Sequence, residues 1–386
     1  MPKKKKLTST VIFLCILLLV VCVIGYDWEQ RNDYQKYNTS SLSYVSAKVL
    51  SVMRENLTKD RTDEHRYLGT QEVVVRIDEG VFEGQEKTII NYLSTSSNVR
   101  VLEGERIIVC VDSPLNAQPY FTIYNYDRSF PLGLIFLSFV AGILLVGGKK
   151  GLKSLEGLVL TMISILFFLI PGIYHGIKVI PLTVVTLLAV IFMALFLMNG
   201  LQQKNILFAG ATGAGVLVAA IFCAVCEKLL KVNGYYFSEV ESLLLIAQST
   251  GLEVKHLLFA GVLISSMGAV MDVGVSIVSA LYEVKRANFS QGPKELFKAG
   301  MNMGKDMIGT MSNTLILAFT GTSLTTMLLL IAFGYQPLQL LNSDYLAIEL
   351  VRGISSTFAV VMTVPLASAM GAIFIKREHV EGIADT

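Results

Sequence analysis

Few residues in this chain are placed to carry chemistry, and most of them lie between Val262 and Thr326. Ser265, Gly268, Asp272, Ser276, Ser279 and Glu283 follow one another at intervals of 3, 4, 4, 3 and 4, which puts them on one face of a helix. The remaining faces of that segment carry Val, Ile, Leu, Ala and Met. Asp306, Thr310, Asn313 and Thr320 share a face of the next apolar segment. A carboxylate in the middle of a membrane helix costs about 2.5–3.5 kcal/mol and typically marks a proton relay or an ion path. Asp272 is then expected to exchange a proton, with Ser276, Thr310 and Asn313 lining the path and Ser265, Glu283 and Asp306 as further candidates, although Glu283 and Asp306, near the inner face, also read as ordinary loop charges. The competing reading is that these side chains only join two helices, through bonds averaging about 0.6 kcal/mol. Asp272 falls about 14 Å and Asn313 about 10 Å from the inner ends of their segments. Direct packing of the two segments would therefore set the Asn313 amide against the Asp272 carboxyl and satisfy it.

Other chemistries lack their residues. Cys223-x-x-Cys226 lies inside an apolar run and reads as two small helix residues rather than a redox or metal pair. His65, His175, His256 and His379 are scattered without ligand spacing. Gly210, Gly213 and Gly215 sit in an apolar run with no following Lys-Ser/Thr, so they suit close helix packing and not a phosphate loop. No nucleophile elbow or Ser-His-Asp arrangement is present. No metal, cofactor or enzymatic activity is expected.

The elements that must position Asp272 are membrane spans. Of 386 residues, 53% are hydrophobic and 16% charged, well below the roughly 25% charge of soluble domains. Apolar runs at about 7–24, 130–147, 154–173, 177–198, 205–226, 256–281, 307–333 and 345–375 give eight candidate spans. The first, behind Lys3–Lys6, reads as an uncleaved anchor. Inner loops carry Lys149, Lys150, Lys153, Lys204, Lys285, Arg286, Lys294, Lys298, Lys305, Lys376 and Arg377. The outer loop 334–344 has no Lys or Arg and the other short outer loops hold only Lys178, Lys228, Lys231 and Lys255, which places both termini in the cytoplasm. Glu349 and Arg352, at i and i+3, are expected to pair, and Pro365 to interrupt the hydrogen bonding of the last span.

Residues 27–128 differ from the rest, with 12 Lys+Arg against 16 Asp+Glu. Five β-like runs, 42–53, 71–77, 87–93, 106–111 and 120–124, are separated by Asp78-Glu79-Gly80, Glu83-Gly84 and Glu103-Gly104-Glu105. They predict a small, OB-like barrel outside the membrane, too acidic for nucleic acid. Tyr235-Tyr236-Phe237 and the following leucines suit an interfacial helix. The fold class expected is an α-helical polytopic membrane protein of about eight transmembrane helices with a small all-β extracytoplasmic domain. Its parts are an anchor (1–26), a β-rich domain (27–128), a seven-helix membrane domain (129–376) and a cytoplasmic tail (377–386).

The stretches Ile264–Glu283, Gly300–Phe319 and Gly321-Thr-Ser-Leu resemble the signature of the YibE/F-like family of bacterial membrane proteins, whose layout of anchor, external domain and seven spans is similar too. The resemblance implies a bacterial cytoplasmic membrane location and no particular reaction. Thr325-Thr326 departs from the more apolar run that the resemblance leads one to expect. Gly268-x-x-x-Asp272, the basic loop and the Thr/Asn-rich next helix are also similar in rhythm to SecD/SecF-type proton-driven export proteins, although seven spans after one external domain do not follow their six-helix unit. Two functions are therefore expected in competition. One is a secondary transporter or export-associated permease for an unknown solute, proton-coupled through Asp272. The other is a non-transporting scaffold or assembly factor whose external domain binds an envelope protein. The lipid bilayer is a partner in both.

Overall fold

The computed structural model describes residues 41–63, 65–114, 117–199, 203–232 and 240–375. The anchor with Cys15 and Cys22, the aromatic run Tyr235–Phe237 and the tail from 377 lie outside the described residues. The chain divides into two units at Val146 and Gly147.

The β unit contains strands β1 (Leu42–Lys59), β2 (Tyr67–Ile77), β3 (Glu86–Leu93), β4 (Arg106–Asp112) and β5 (Tyr120–Tyr126). All neighbours are antiparallel, in the order β3-β2-β1-β4-β5. Strand β1 serves both halves of the sheet, pairing with β4 through Leu42–Lys48 and with β2 through Ala47–Lys59. Two register shifts, at Val49/Ser51 and Val52/Arg54, mark bulges in it; bulges bend a strand and increase its twist. The edge strands β3 and β5 come into contact, and Lys87 of β3 lies over the Phe121 ring of β5 at 5.4 Å. Period-two alternation turns Val45, Ala47, Val49, Val73, Val75, Ile77, Ile89, Ile107, Val109 and Val111 inward. Gln71 and Asn91 are buried beside them. Asn91 Nδ2 donates to Gln71 Oε1 (3.1 Å) and to Val99 O (2.7 Å), and Gln71 Nε2 donates to Val101 O (3.0 Å). These bonds satisfy polar groups that would otherwise cost about 1–3 kcal/mol each.

The β1–β2 hairpin is closed by Asp60, which accepts from Thr62 N (2.9 Å), Thr62 Oγ1 (2.8 Å) and Arg66 Nε (2.7 Å). The Thr62 amide and hydroxyl, and then Arg66, hold its carboxyl below the usual range. With the folded value depressed, this stabilisation is complete above the ordinary aspartate pKa of about 3.9 and fades as pH falls below it. Hydrogen exchange at residues 60–66 should accordingly accelerate relative to β1 and β4 only on acidification below that value.

The helical unit begins within α1 (Ser129–Ser164), which continues through a π-helical turn, Ile165–Leu169, to Tyr174. The spans expected at 130–147 and 154–173 are both helical and are separated at Gly148 (φ 51°, ψ −130°), where the backbone leaves helical geometry. Gly147-Gly148-Lys149-Lys150 had the composition of a loop, yet one residue outside helical φ/ψ suffices for the break, in a region that glycine alone enters easily. There follow α2 (Val179–Asn199), α3 (Gln203–Leu230), the short α4 (Val240–Thr250), α5 (Leu257–Ala287), α6 (Pro293–Ala332), a turn-length α7 (Pro337–Leu341) and α8 (Asp344–Phe374). Among the described residues, five helical stretches are long and apolar enough to cross a membrane, and Val179–Leu195 is a shorter apolar helix. This is a membrane protein; the anchor span expected at 7–24 lies outside the described residues.

Several local signals define these helices. Pro293 occupies the first turn of α6, and Glu295 Oε2 accepts from Gly292 N at 2.8 Å, the one half of a capping box that a glycine N-cap allows. Lys285 folds back on the α5–α6 turn, donating to Phe289 O (2.9 Å) and Gln291 O (2.7 Å).

α8 packs against α3, α5 and α6, and glycines govern those contacts. Gly215 of α3 admits Thr363 of α8 and Val270 of α5; Gly274 of α5 admits Thr212; Gly300 and Gly304 of α6 admit Ser368 and Val364; Gly371 of α8 admits Leu281. The close packing expected of Gly210 and Gly215 is met, Gly210 lying against Met370. A side chain at Gly304 would overlap Val364, whereas one at Gly309, on an open face of the same helix, would meet nothing within 4 Å. Gly304→Leu should destabilise the detergent-solubilised protein by about 1–3 kcal/mol, measured by thermal unfolding, with Gly309→Leu as the neutral partner.

Candidate functional site

Asp272 is the sixteenth of the 31 residues of α5, hence about 22 Å from either end of the helix. Its face is set by the apolar residues around it. Val262, Leu263, Val270, Val273, Ile277, Val278 and Leu281 are buried. The 3.6-residue period then turns Ser265, Gly268, Asp272, Ser276 and Glu283 outward, and all five are exposed. Five of the six residues expected on one face thus share the face the bundle leaves uncovered, while Ser279 is half-buried.

Part of that face forms one wall of a groove of about 460 Å³. The second wall is the part of α1 beyond Gly148, through Ser154, Gly157, Leu158, Thr161 and Ile165, and Ala194 of α2 contributes between them. The polar groups on it are Ser154, Thr161, Asp272 and Ser276. Thr161 Oγ1 is engaged with Gly157 O at 2.9 Å. Among the described residues, no hydrogen bond or ion pair reaches the Asp272 carboxyl. Ser265 donates to Val262 O (2.9 Å) in the preceding turn, and Glu283 lies about three turns from Asp272, outside the groove.

The expected meeting of Asp272 with Asn313 does not occur. Asp306, Thr310 and Asn313 are exposed on α6 and do not line the groove. Thr310 Oγ1 is spent on Met307 O at 3.1 Å. The reason is steric. The nearest backbone approaches run through Gly300 and Gly304 to α8 and through Gly371 to α5, so α8 packs intimately against both helices. The polar stripes of α5 and α6 are left on separate surfaces. Glu349 and Arg352 do pair, at 2.8 Å.

Two features escaped the sequence reading. The first is the π turn beside the groove. Its signal was Pro171, which cannot donate to the carbonyl four residues back; Ile170 N bonds instead to Ile165 O, five residues back. The second is a contact between Glu227 Oε1 of α3 and His256 Nδ1 at the head of α5, at 3.5 Å, with Cys223 buried one turn before Glu227. Twenty-nine residues separate that pair in sequence, and no local spacing announces it. Among the described residues, no group of three or more His, Cys, Asp or Glu side chains is placed to hold a metal ion.

A chain of long apolar helices that follows an antiparallel β unit and carries a mid-helix carboxylate on an open groove defines a multi-pass α-helical membrane protein. The family model described as YibE/F-like protein matches residues 135–377, well over half of the sequence, and the chain belongs to that family. No curated protein and no solved structure matches it significantly.

Cysteine substitution checks the geometry. On a background without the native cysteines, Ser276→Cys should react with a membrane-impermeant thiol reagent. Ile277→Cys, one residue on and fully buried, should stay unmodified until the protein is denatured.

Proposed function

We propose that this protein is a secondary transporter or export-associated permease of the bacterial cytoplasmic membrane, and that Asp272 takes up and releases the proton that couples it. The observation that carries the reading is the placement of Asp272: midway along a buried helix, facing a groove, with no partner among the described residues. A carboxylate fixed purely for packing would be expected to hold a helix neighbour. Transport sites commonly lie near the middle of the membrane beside interrupted helices, and α1 supplies both a break at Gly148 and a π turn at Ile165–Leu169 next to the groove. Ser276 stands one turn from Asp272 on the same wall and serves as the next hydrogen-bonding station. The lysine distribution supports cytoplasmic termini and an external β unit. In this reading the β unit, whose strand order is that of an OB-like barrel, guides solute to the membrane.

The scaffold reading draws on a different observation. Tyr44 and Tyr124 stand edge to face at 4.9 Å on the exposed side of the β unit, and both are well exposed, as suits a surface for another envelope protein. It requires Asp272 to be dispensable.

Full-length protein reconstituted into vesicles with a trapped pH indicator separates the two. An imposed membrane potential should drive proton entry above that of protein-free vesicles. Asp272→Asn should reduce the rate at least tenfold at equal incorporation, and Thr314→Ala, on the exposed face of α6, should not. Equal flux through the Asp272→Asn variant would overturn the coupling role.

A further inference from the structure

The walls of the Asp272 groove are chemically unbalanced. They bear one carboxylate and, among the described residues, no lysine, arginine or histidine from α1, α2 or α5. No second titratable side chain among the described residues lines it either. The remaining lining is mostly aliphatic, with Met267 and Met271 on either side of Gly268. A carboxylate held against such walls is stable only when protonated or when a cation sits beside it. A proton satisfies the charge and leaves the space unexplained. About 460 Å³ is room for a small organic molecule, not for one water or one bare ion. A metal cation needs about six oxygen ligands, and the groove offers a single carboxylate and three hydroxyls, one of them spent on Gly157 O. An anion would be repelled, and a sugar would find few partners for its hydroxyls. What matches one negative charge in a broad apolar slot with adaptable methionine walls is one positive charge embedded in apolar bulk.

We infer that the groove between α1 and α5 binds a lipophilic organic monocation, which pairs with Asp272 and displaces its proton. This names a substrate class for the transport function proposed above and rests on that reading. Exchange at one carboxylate makes binding and protonation exclusive, so one proton leaves for each cation bound. Met267 and Met271 fit the apolar body, and Gly268, where an added Cβ would meet nothing within 4 Å, leaves the slot wide at the level of the carboxylate.

Equilibrium binding of radiolabelled tetraphenylphosphonium to purified full-length protein in detergent, corrected for protein-free micelles, tests this. Expected is saturable binding of one cation per chain that weakens as pH falls, releases a proton, and is not matched by neutral triphenylphosphine oxide. Asp272→Asn should lower the affinity more than tenfold. Gly268→Leu removes a helix-weakening residue and fills the slot without touching the carboxylate; it should do the same, while Asp272→Glu and Thr314→Ala retain binding. Saturable binding that survives both Asp272→Asn and Gly268→Leu would overturn the assignment. Absence of binding, with Asp272-dependent proton flux still present in vesicles, would overturn the substrate class and leave the transport reading standing; absence of both would overturn both. Failure to bind together with a Ser276→Cys disulfide between two copies would assign the groove to a second copy of the chain instead.

Discussion

Apolar side chains in a bilayer gain little by leaving lipid for one another, so a helix bundle depends on how near its backbones can come. In this protein that nearness is set by absent side chains: Gly215, Gly300, Gly304 and Gly371 each accept a neighbour where a Cβ would collide, and Gly274 one where a Cβ would be tight. These approaches fix the rotation of α5. Once Val270, Gly274, Ile277 and Leu281 are turned toward α3 and α8, the helical period leaves Asp272 and Ser276 only the opposite side. The orientation of the one mid-helix carboxylate on the groove is therefore a consequence of glycine packing on the far face of its own helix.

The same constraint explains which parts of the architecture were legible. All five strands were visible as alternating runs divided by turns, because burial on one face of a sheet leaves a period-two trace. The end of β1 was underestimated: Arg54–Lys59 has no apolar alternation, and its strand character comes from pairing with Tyr67–Glu72. The exposed stripe on α5 was legible for the equivalent reason, a 3.6-residue period with one odd face. What no period encodes is which helix lies next to which. Neighbours in sequence and polarity pointed to α5 against α6; the tightest contacts go instead to α8, whose Ser368 and Gly371 are small but otherwise unremarkable in a run of Ala, Ser and Val. Glu227 and His256 were missed for the same reason, their meeting being a product of tertiary packing.

Family membership and structure bear on different questions. The matched region, 135–377, covers the helical unit and leaves out the β unit, which is read here from its strands alone. The groove lies wholly within the matched region. Its carboxylate, Gly268 and its methionines come from one turn and a half of a single helix, so the chemistry is compact in sequence even though the opposite wall is contributed from more than a hundred residues upstream.

That opposite wall contains a surplus residue. In the π turn at Ile165–Leu169 the hydrogen bond spans five residues instead of four, so side chains before and after it are out of phase by one residue, about 100° of rotation. The face that α1 shows to Asp272, Thr161 and Ile165, is thus set by backbone register: without the surplus residue, the helix beyond the turn would present a face rotated by about 100°.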